Sequence, residues 1–253
     1  MRGTGASAEG SAPPRSQADL VVQSIREMVF RGELTPGARL PIENELATRL
    51  GVSRSSLREG VRALAMMGVL ETRQGDGTYV TALDASMLLA PMRFVVDLQP
   101  GQHAAEVAAV RRMLETEAAS RAALRITPEQ LVEARAVLDG VAGLADDPSG
   151  DDTERFLEAD VAFHRIVAQA SGNDVLEALI EALSSRTIRT RLWRAVSERG
   201  VGAATHRQHE EILRALGSGD PDRARITMAV HLMGVEDFAA THDEVPDVGD
   251  LTV

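Results

Sequence analysis

The segment ELATRLGVSRSSLREGVRAL (residues 45–64) contains two short helical patterns joined by a Gly-Val-Ser turn. Gly51 is placed to end the first helix, and Ser53 is placed to cap the N-terminus of the second. Leu57 and Leu64 lie on the apolar face of that second helix. Two helices joined in this way can lay the second one into the major groove of DNA, so the segment predicts a helix-turn-helix.

The sequence on either side adds a third helix and a hairpin. A helical pattern runs from about residue 17 to residue 31, before the turn motif. After the motif, VLETRQGDGTYVTA (residues 69–82) contains two extended runs joined by a glycine-rich turn, which indicates a β-hairpin. Three helices and a hairpin predict a winged helix-turn-helix over residues 16–81.

The distribution of charge supports a nucleic-acid partner for this part of the chain only. The net charge at pH 7 is −11, but the acidic excess lies after residue 81. Residues 49–62 instead hold four arginines and one acidic residue. All 27 basic residues of the chain are arginine. The planar guanidinium group suits phosphate and guanine, although a genome-wide bias in composition explains this usage equally well.

Polar residues on the second helix of the motif and on the hairpin are candidate DNA contacts. The helix carries a polar strip and an N-terminus whose free backbone N–H groups also bind phosphate. Its candidate residues are Ser53, Arg54, Ser55, Arg58 and Arg62. Glycines at the hairpin tip, including Gly75, allow close approach to DNA, with Arg73 and Gln74 available to the minor groove. The alternative interpretation is a solvated basic face without a partner.

The rest of the chain has helical periodicity, with breaks that separate a short linking helix and about six longer helices. We therefore predict a mainly α protein, with an N-terminal winged helix-turn-helix and a C-terminal all-α helical bundle. The predicted organisation is a disordered tail (1–15), the winged helix-turn-helix (16–81), a linker and connecting helix (82–100), a helical domain (101–240) and an acidic tail (241–253).

Composition excludes several classes of site. The chain has no cysteine, so disulfides, cysteine-ligated zinc and thiol catalysis are all excluded, and a metal would need histidine and carboxylate ligands. There is no run of 18 apolar residues and no signal peptide at the N-terminus. We therefore expect a soluble cytoplasmic protein with no membrane partner.

One pair of titratable residues in the helical part points inward. Asp160 and His164 are four residues apart, and a helical wheel puts Phe156, Phe163 and Val167 on the same face. The simplest interpretation of such a pair is a weak surface ion pair. A charge within an apolar face is costly unless it is paired or bound to a metal.

Two more histidines, His209 and His231, also lie on apolar faces of their predicted helices. Each alone is more typical of a hydrogen-bonded core histidine. Three inward histidines and an aspartate, in a chain with six histidines in all, favour a metal site instead. This ligand set fits Zn²⁺, Ni²⁺ or Mn²⁺ and does not choose among them.

Residues 25–80 resemble the DNA-binding domain of GntR-family bacterial transcription regulators. The resemblance is carried by Gly32, Pro36-Gly37, Leu40-Pro41, Glu45-Leu46-Ala47, Gly51-Val52-Ser53-Arg54, Leu57-Arg58-Glu59 and Gly75-x-Gly77-Thr78. It implies that Arg54 and Arg58 read the operator, that Ser53 and Ser55 hold phosphates, and that the hairpin tip at Gly75 enters the minor groove. Where the family usually has Ser-Glu-Arg, this chain has Ile42-Glu43-Asn44. Asn44 then takes the position of an arginine that often touches DNA.

The helical part resembles the FCD effector domain of FadR-type GntR regulators. The matching residues are Asp160-x-x-Phe163-His164, Ala170-Ser171-Gly172-Asn173, His209-x-x-Ile212-Leu213, Gly219-Asp220-Pro221 and His231-Leu232. In metal-binding members these positions carry the ligands, so the resemblance implies that Asp160, His164, His209 and His231 bind the metal. It also implies a small carboxylate effector that completes the coordination, and it argues against an acyl-CoA effector.

An anionic effector also needs a cationic side chain. Arg111 matches an arginine that the family points at the effector pocket, and a buried pair with Glu115 at i, i+4 is an equal alternative. Arg189 and Arg191 are weaker candidates. His206 matches no ligand position, and we assign it to the effector pocket.

Together these features predict a homodimeric transcription regulator that binds a pseudo-palindromic operator in double-stranded DNA. Repression is the commoner mode in the family that the sequence resembles. Two alternatives stay open: a regulator that senses the metal without an organic effector, and a helical metalloenzyme with a metal-activated water. The enzyme interpretation leaves residues 17–81 unexplained.

Overall fold

The computed structural model describes residues 16–85, 103–144 and 151–242. The chain forms two compact units, Met1–Leu88 and Leu89–Val253, which are described separately. The predicted N-terminal tail, most of the predicted linker and nearly all of the acidic tail lie outside the described residues.

The first unit contains three helices and a two-stranded antiparallel sheet. Its elements are α1 (Gln17–Phe30), α2 (Glu43–Leu50), α3 (Arg54–Met66), β1 (Leu70–Arg73) and β2 (Gly77–Val80). Leu70 pairs with Val80 and Arg73 pairs with Gly77 in the sheet. The predicted winged helix-turn-helix is confirmed.

Local sequence explains where these helices begin and how closely they pack. The Ser53 hydroxyl caps α3 by accepting a hydrogen bond from the Ser56 backbone N–H, and Gly51 ends α2 in the left-handed conformation. Gly60 brings α3 against α1, since a Cβ at this position would lie 2.6 Å from the Val21 Cβ. At the start of α2, Ile42 stands where the family usually has serine, and its side chain offers no cap.

All the secondary-structure elements among the described residues of the second unit are helices. Its elements are α4 (Ala104–Ala122), α5 (Pro128–Asp139), a 3₁₀ turn (Ala142–Leu144), α6 (Asp151–Ala170), α7 (Asp174–Ser197), α8 (Val201–Gly217) and α9 (Pro221–Thr241). The predicted all-α bundle is therefore confirmed. Within the described ranges, no helix combines the length and the apolar character needed to cross a bilayer.

In this bundle, several helices each direct one face toward the centre. Helix α4 lies against α9 over most of its length and also contacts α6, α7 and α8. Phe163 and Ile166 of α6 pack with Ile212 of α8 and Met228 of α9 in the main core. The inward faces of α6, α8 and α9, which carry the candidate ligands, therefore meet next to α4.

Candidate functional site

The four predicted metal ligands come together inside the second unit. Asp160 and His164 lie on α6, His209 on α8 and His231 on α9, and none is more than 5% exposed. One ligand atom from each residue lies within 4.8 Å of all the others. Asp160 and His164 are both buried, as the helical wheel predicts.

Distances within this cluster suit a single metal ion. The Nε2 atom of His231 lies 3.2 Å from Nε2 of His164 and 3.2 Å from Nε2 of His209. The Oδ1 atom of Asp160 lies 3.5 Å from His209 Nε2 and 3.8 Å from His164 Nε2. Nitrogen and oxygen ligands bound about 2 Å from one metal ion are themselves about 3 Å apart. The cluster needs only small adjustments to reach that arrangement.

The outer partners of the imidazoles orient them for metal binding. His164 Nδ1 donates to Oε2 of the Glu115 carboxylate, and His231 Nδ1 donates to Gln208 Oε1 at 3.0 Å. With the proton on Nδ1, each ring presents a lone pair on Nε2. Two lone pairs that face one another at 3.2 Å repel. A cation between them removes that repulsion, so the donor set fits a metal.

The pKa values of two of the candidate ligands, His209 and His231, favour the neutral imidazole that binds metals. Burial, together with the neighbouring His164, holds the pKa of His209 well below its usual value. Burial and the neighbouring His209 do the same for the pKa of His231. Burial alone would raise the pKa of Glu115, but the charge of Arg111 and the hydrogen bond from His164 outweigh it and hold this pKa well below its usual value. Glu115 is therefore a carboxylate that accepts from His164.

Arg191 holds the candidate ligand Asp160 in place. Its Nη1 donates to Oδ2 of Asp160, which leaves Oδ1 directed at the histidines. The remaining nitrogens of Arg191 reach the backbone carbonyls of Thr187 at 3.4 Å and Ser184 at 3.3 Å. All three nitrogens are thus engaged by the protein. Arg191 positions Asp160 and is not free for a ligand.

Arg111 forms the internal pair that the sequence offered as one of two alternatives. Its Nε donates to Glu115 Oε1 at 2.7 Å, and its Nη1 donates to the Thr187 hydroxyl. Nη2 lies 2.5 Å from the same Glu115 oxygen but lacks hydrogen-bond geometry. Arg111 is only 1% exposed. It therefore supports Glu115, which in turn orients His164.

A pocket that is partly open to solvent lies beside the cluster. Its lining residues are Phe156, Leu157, Asp160, Arg191, Arg194, Ala195, Val201, Gly202, Thr205, His231 and Val235. Two of the candidate ligands, Asp160 and His231, therefore border this pocket. Neither predicted effector residue lines it: Arg111 is paired as above, and His206 is half-buried, with an Nδ1 that has no partner in the described chain.

The predicted DNA contacts are all exposed on the first unit. Asn44 lies on α2, and Arg54, Ser55, Arg58 and Arg62 lie on α3 after the capping Ser53. The Ser53 and Ser55 hydroxyls are 2.8 Å apart. Arg58 Nη1 lies 3.9 Å from Glu43 Oε2, which is a loose and exposed ion pair. Gln74 and Gly75 form the exposed hairpin tip.

The contacts that stabilise this hairpin could not be predicted from the sequence pattern. Arg39 donates from Nη2 to the backbone carbonyl of Asp76, and the Tyr79 hydroxyl donates to the Asp76 carboxylate at 2.8 Å. The guanidinium of Arg73 stacks on the Tyr79 ring at 4.4 Å. In the second unit, Gln208 was likewise missed. Its position directly before His209 was the only indication in the sequence.

Comparisons with known proteins agree with this architecture. Residues 17–80 match the model of bacterial regulatory proteins of the gntR family, and residues 106–234 match that of the FCD domain. The chain is 31% identical to the HTH-type transcriptional regulator LutR of Bacillus subtilis over 86% of its own length and 98% of LutR. It is 30% identical to a putative L-lactate dehydrogenase operon regulatory protein of Escherichia coli, over 91% and 89% of the two chains.

A solved structure extends this similarity to three dimensions. The Streptococcus agalactiae GntR structure superposes with a TM-score of 0.65 at 27% identity, covering 87% of this chain and 99% of that one. These relatives are regulators rather than enzymes, so the metalloenzyme alternative is wrong. The chain belongs to the GntR family of transcription regulators and carries an FCD domain.

Proposed function

We propose that this regulator controls an operator through a small carboxylate that binds next to a metal ion in the FCD domain. The observation that carries the proposal is the buried cluster of Asp160, His164, His209 and His231, two of whose members line a pocket. These four residues would hold Zn²⁺, Ni²⁺ or Mn²⁺. When bound, the metal supplies a Lewis acid to which a carboxylate oxygen can coordinate.

The DNA-reading part of the proposal rests on α3 and the hairpin. Arg54, Arg58 and Arg62 are directed to solvent, which leaves them available to base edges and phosphates in the major groove. Asn44, Ser53, Ser55, Gln74 and Gly75 would add contacts to the backbone and the minor groove. Such a protein acts where the chromosome lies, in the cytoplasm. We propose that it acts as a repressor, which is the commoner mode of regulation in the family.

The effector can act only through a difference in its affinity for two arrangements of the protein. The experiment that tests the proposal is a titration of operator binding, first with each metal and then with small carboxylates at saturating metal. We expect the metal alone to leave operator affinity within about threefold, and an effector acid to change it by about tenfold or more. A full response to metal alone would contradict the carboxylate proposal and favour direct metal sensing.

We further propose that the protein dimerises through apolar side chains exposed on α4 and α9. These residues are Met113 (61% exposed), Ile226 (62%), Val230 (47%) and Met233 (43%). Ion pairs join the two helices at Arg112–Glu236 and Glu117–Arg225. All four apolar residues lie between these pairs in sequence, which puts them at a common level along the two helices. An apolar patch of this kind is typical of a protein interface.

Replacing two residues of this patch should separate the dimer. The double variant Ile226→Glu, Met233→Glu places two charges where apolar contact is proposed, so we expect a monomer at micromolar concentration by light scattering. Operator affinity should fall as well, because a monomer reads only one half-site. The control is Val132→Glu on α5, which is 69% exposed. A double variant that remains dimeric would contradict this interface.

A further inference from the structure

The pocket beside the candidate metal site contains two arginines with different surroundings. Arg191 is fully engaged by Asp160 and by backbone carbonyls. Arg194, one helical turn further along α7, donates only Nε, to Glu198 at 3.0 Å. Its Nη1 and Nη2 have no hydrogen-bond partner among the residues that the structure describes. With a side chain 20% exposed, Arg194 presents a free pair of donors to the pocket.

A glycine on α9 makes room for this guanidinium. A Cβ at Gly234 would lie 2.9 Å from Nη2, 3.1 Å from Nη1 and 3.3 Å from Cζ of Arg194. Any side chain at that position would therefore displace the head group. A glycine inside a helix lowers the stability of that helix. The close approach of Arg194 accounts for a glycine at position 234. Gly234 and Glu198 together hold the guanidinium in the pocket wall.

The charges of the buried cluster indicate what kind of ligand suits this pocket. Its fully buried ions are two guanidinium groups, Arg111 and Arg191, and two carboxylates, Glu115 and Asp160, so they balance. A divalent metal adds two positive charges in a site that is shielded from water. Burying uncompensated charge is costly. A ligand with two negative charges restores the balance, whereas a monocarboxylate leaves one positive charge.

The pocket is lined by both charged and apolar side chains. Asp160 and His231 belong to the candidate metal cluster, and Arg194 is a separate cationic group in the same lining. The carbon side chains of Phe156, Val201 and Val235 also line the pocket. We propose that Arg194 is a specificity-determining residue that binds a second carboxylate, so that the effector is a short dicarboxylate. This inference rests on the proposed function, because the first carboxylate binds at the metal site.

The test uses two acids that differ by one carboxylate, L-malate and L-lactate. Their dissociation constants are measured by calorimetry on the full-length protein loaded with Zn²⁺. We expect the wild type to prefer L-malate by at least about tenfold, the size expected for a charge-assisted hydrogen bond. In Arg194→Met the ratio of the two dissociation constants should fall to about one. L-malate loses the partner of its second carboxylate, whereas L-lactate binding does not use this side chain and should not change.

A second variant tests the position of the guanidinium separately from its charge. Gly234→Ala keeps Arg194 but displaces its head group, so it should also reduce the preference for L-malate. Arg207→Met, on the exposed side of α8, is the control and should leave it unchanged. The thermal transition and zinc content of each variant verify that the domain is intact.

Three outcomes would overturn the inference. A wild type that binds both acids equally, or an Arg194→Met variant that keeps the preference, contradicts the role of Arg194 while leaving the carboxylate effector in place. A zinc-loaded wild type that binds neither acid, nor any other small carboxylate, contradicts the proposed function and this inference with it.

Discussion

Arg58→Ala is expected to abolish specific operator binding while the FCD domain keeps its metal and ligand affinity. A bidentate contact between arginine and guanine contributes about 1–3 kcal/mol, and a dimer makes it at two half-sites, so the loss is roughly 30-fold or more. The variant should fold normally, because the Arg58 side chain is 55% exposed and its ion pair with Glu43 is loose. Fluorescence anisotropy with an operator fragment selected by the wild-type protein measures the effect.

The control for this variant is Arg26→Ala, which removes the same charge from an exposed position on α1. It should weaken binding to all DNA sequences to a small and equal extent, because it changes only the overall charge. Operator binding that survives in Arg58→Ala at physiological salt would show that α3 is not the recognition helix.

His231→Ala is expected to remove stoichiometric metal binding. The Nε2 atom of His231 is within 3.2 Å of both other ligand histidines, so its loss opens the cluster. A metal at 1,000 times its dissociation constant raises the free energy of unfolding of the wild type by about 4 kcal/mol. We expect that gain to fall below about 1 kcal/mol in the variant. Denaturant titrations with and without Zn²⁺, Ni²⁺ and Mn²⁺ measure the gain.

This comparison is insensitive to the cavity that the substitution leaves, because each protein serves as its own metal-free reference. His103→Ala is the matched control, since His103 is exposed at the start of α4 and, within the described ranges, its ring pairs with Glu106 alone. It should keep the full metal-induced gain. A His231→Ala variant that still gains as much as the wild type would show that the metal binds elsewhere.

Helical periodicity explains why the ligand cluster could be predicted from sequence. The apolar faces of α6, α8 and α9 each contained titratable residues that needed a partner, and the helix breaks at glycine and proline allowed those faces to meet. Local signals also located α2 and α3, because Gly51 and Ser53 mark their ends through their own backbone and side-chain preferences. Features that depend on one helix alone were therefore accessible.

The arginines of the FCD domain show what sequence could not decide. From the sequence, Arg111 could either pair with Glu115 at i, i+4 or point into the effector pocket as in the family. The packing of α4 on α7 decides between them, because Arg111 donates to both Glu115 and Thr187. Arg194 faces the pocket because Gly234 of α9 lies against it. Contacts between residues this far apart in sequence depend on helix packing, which periodicity does not specify.

We propose above all that acid binding at the metal site and operator binding are coupled. Linkage requires that the two ligands change each other's affinity by the same factor. The most direct test is the dissociation constant of the metal-loaded protein for its effector acid, measured with and without saturating operator DNA. We predict a difference of about tenfold or more, equal to the change that the acid causes in operator affinity. Identical constants in the two conditions would contradict the account.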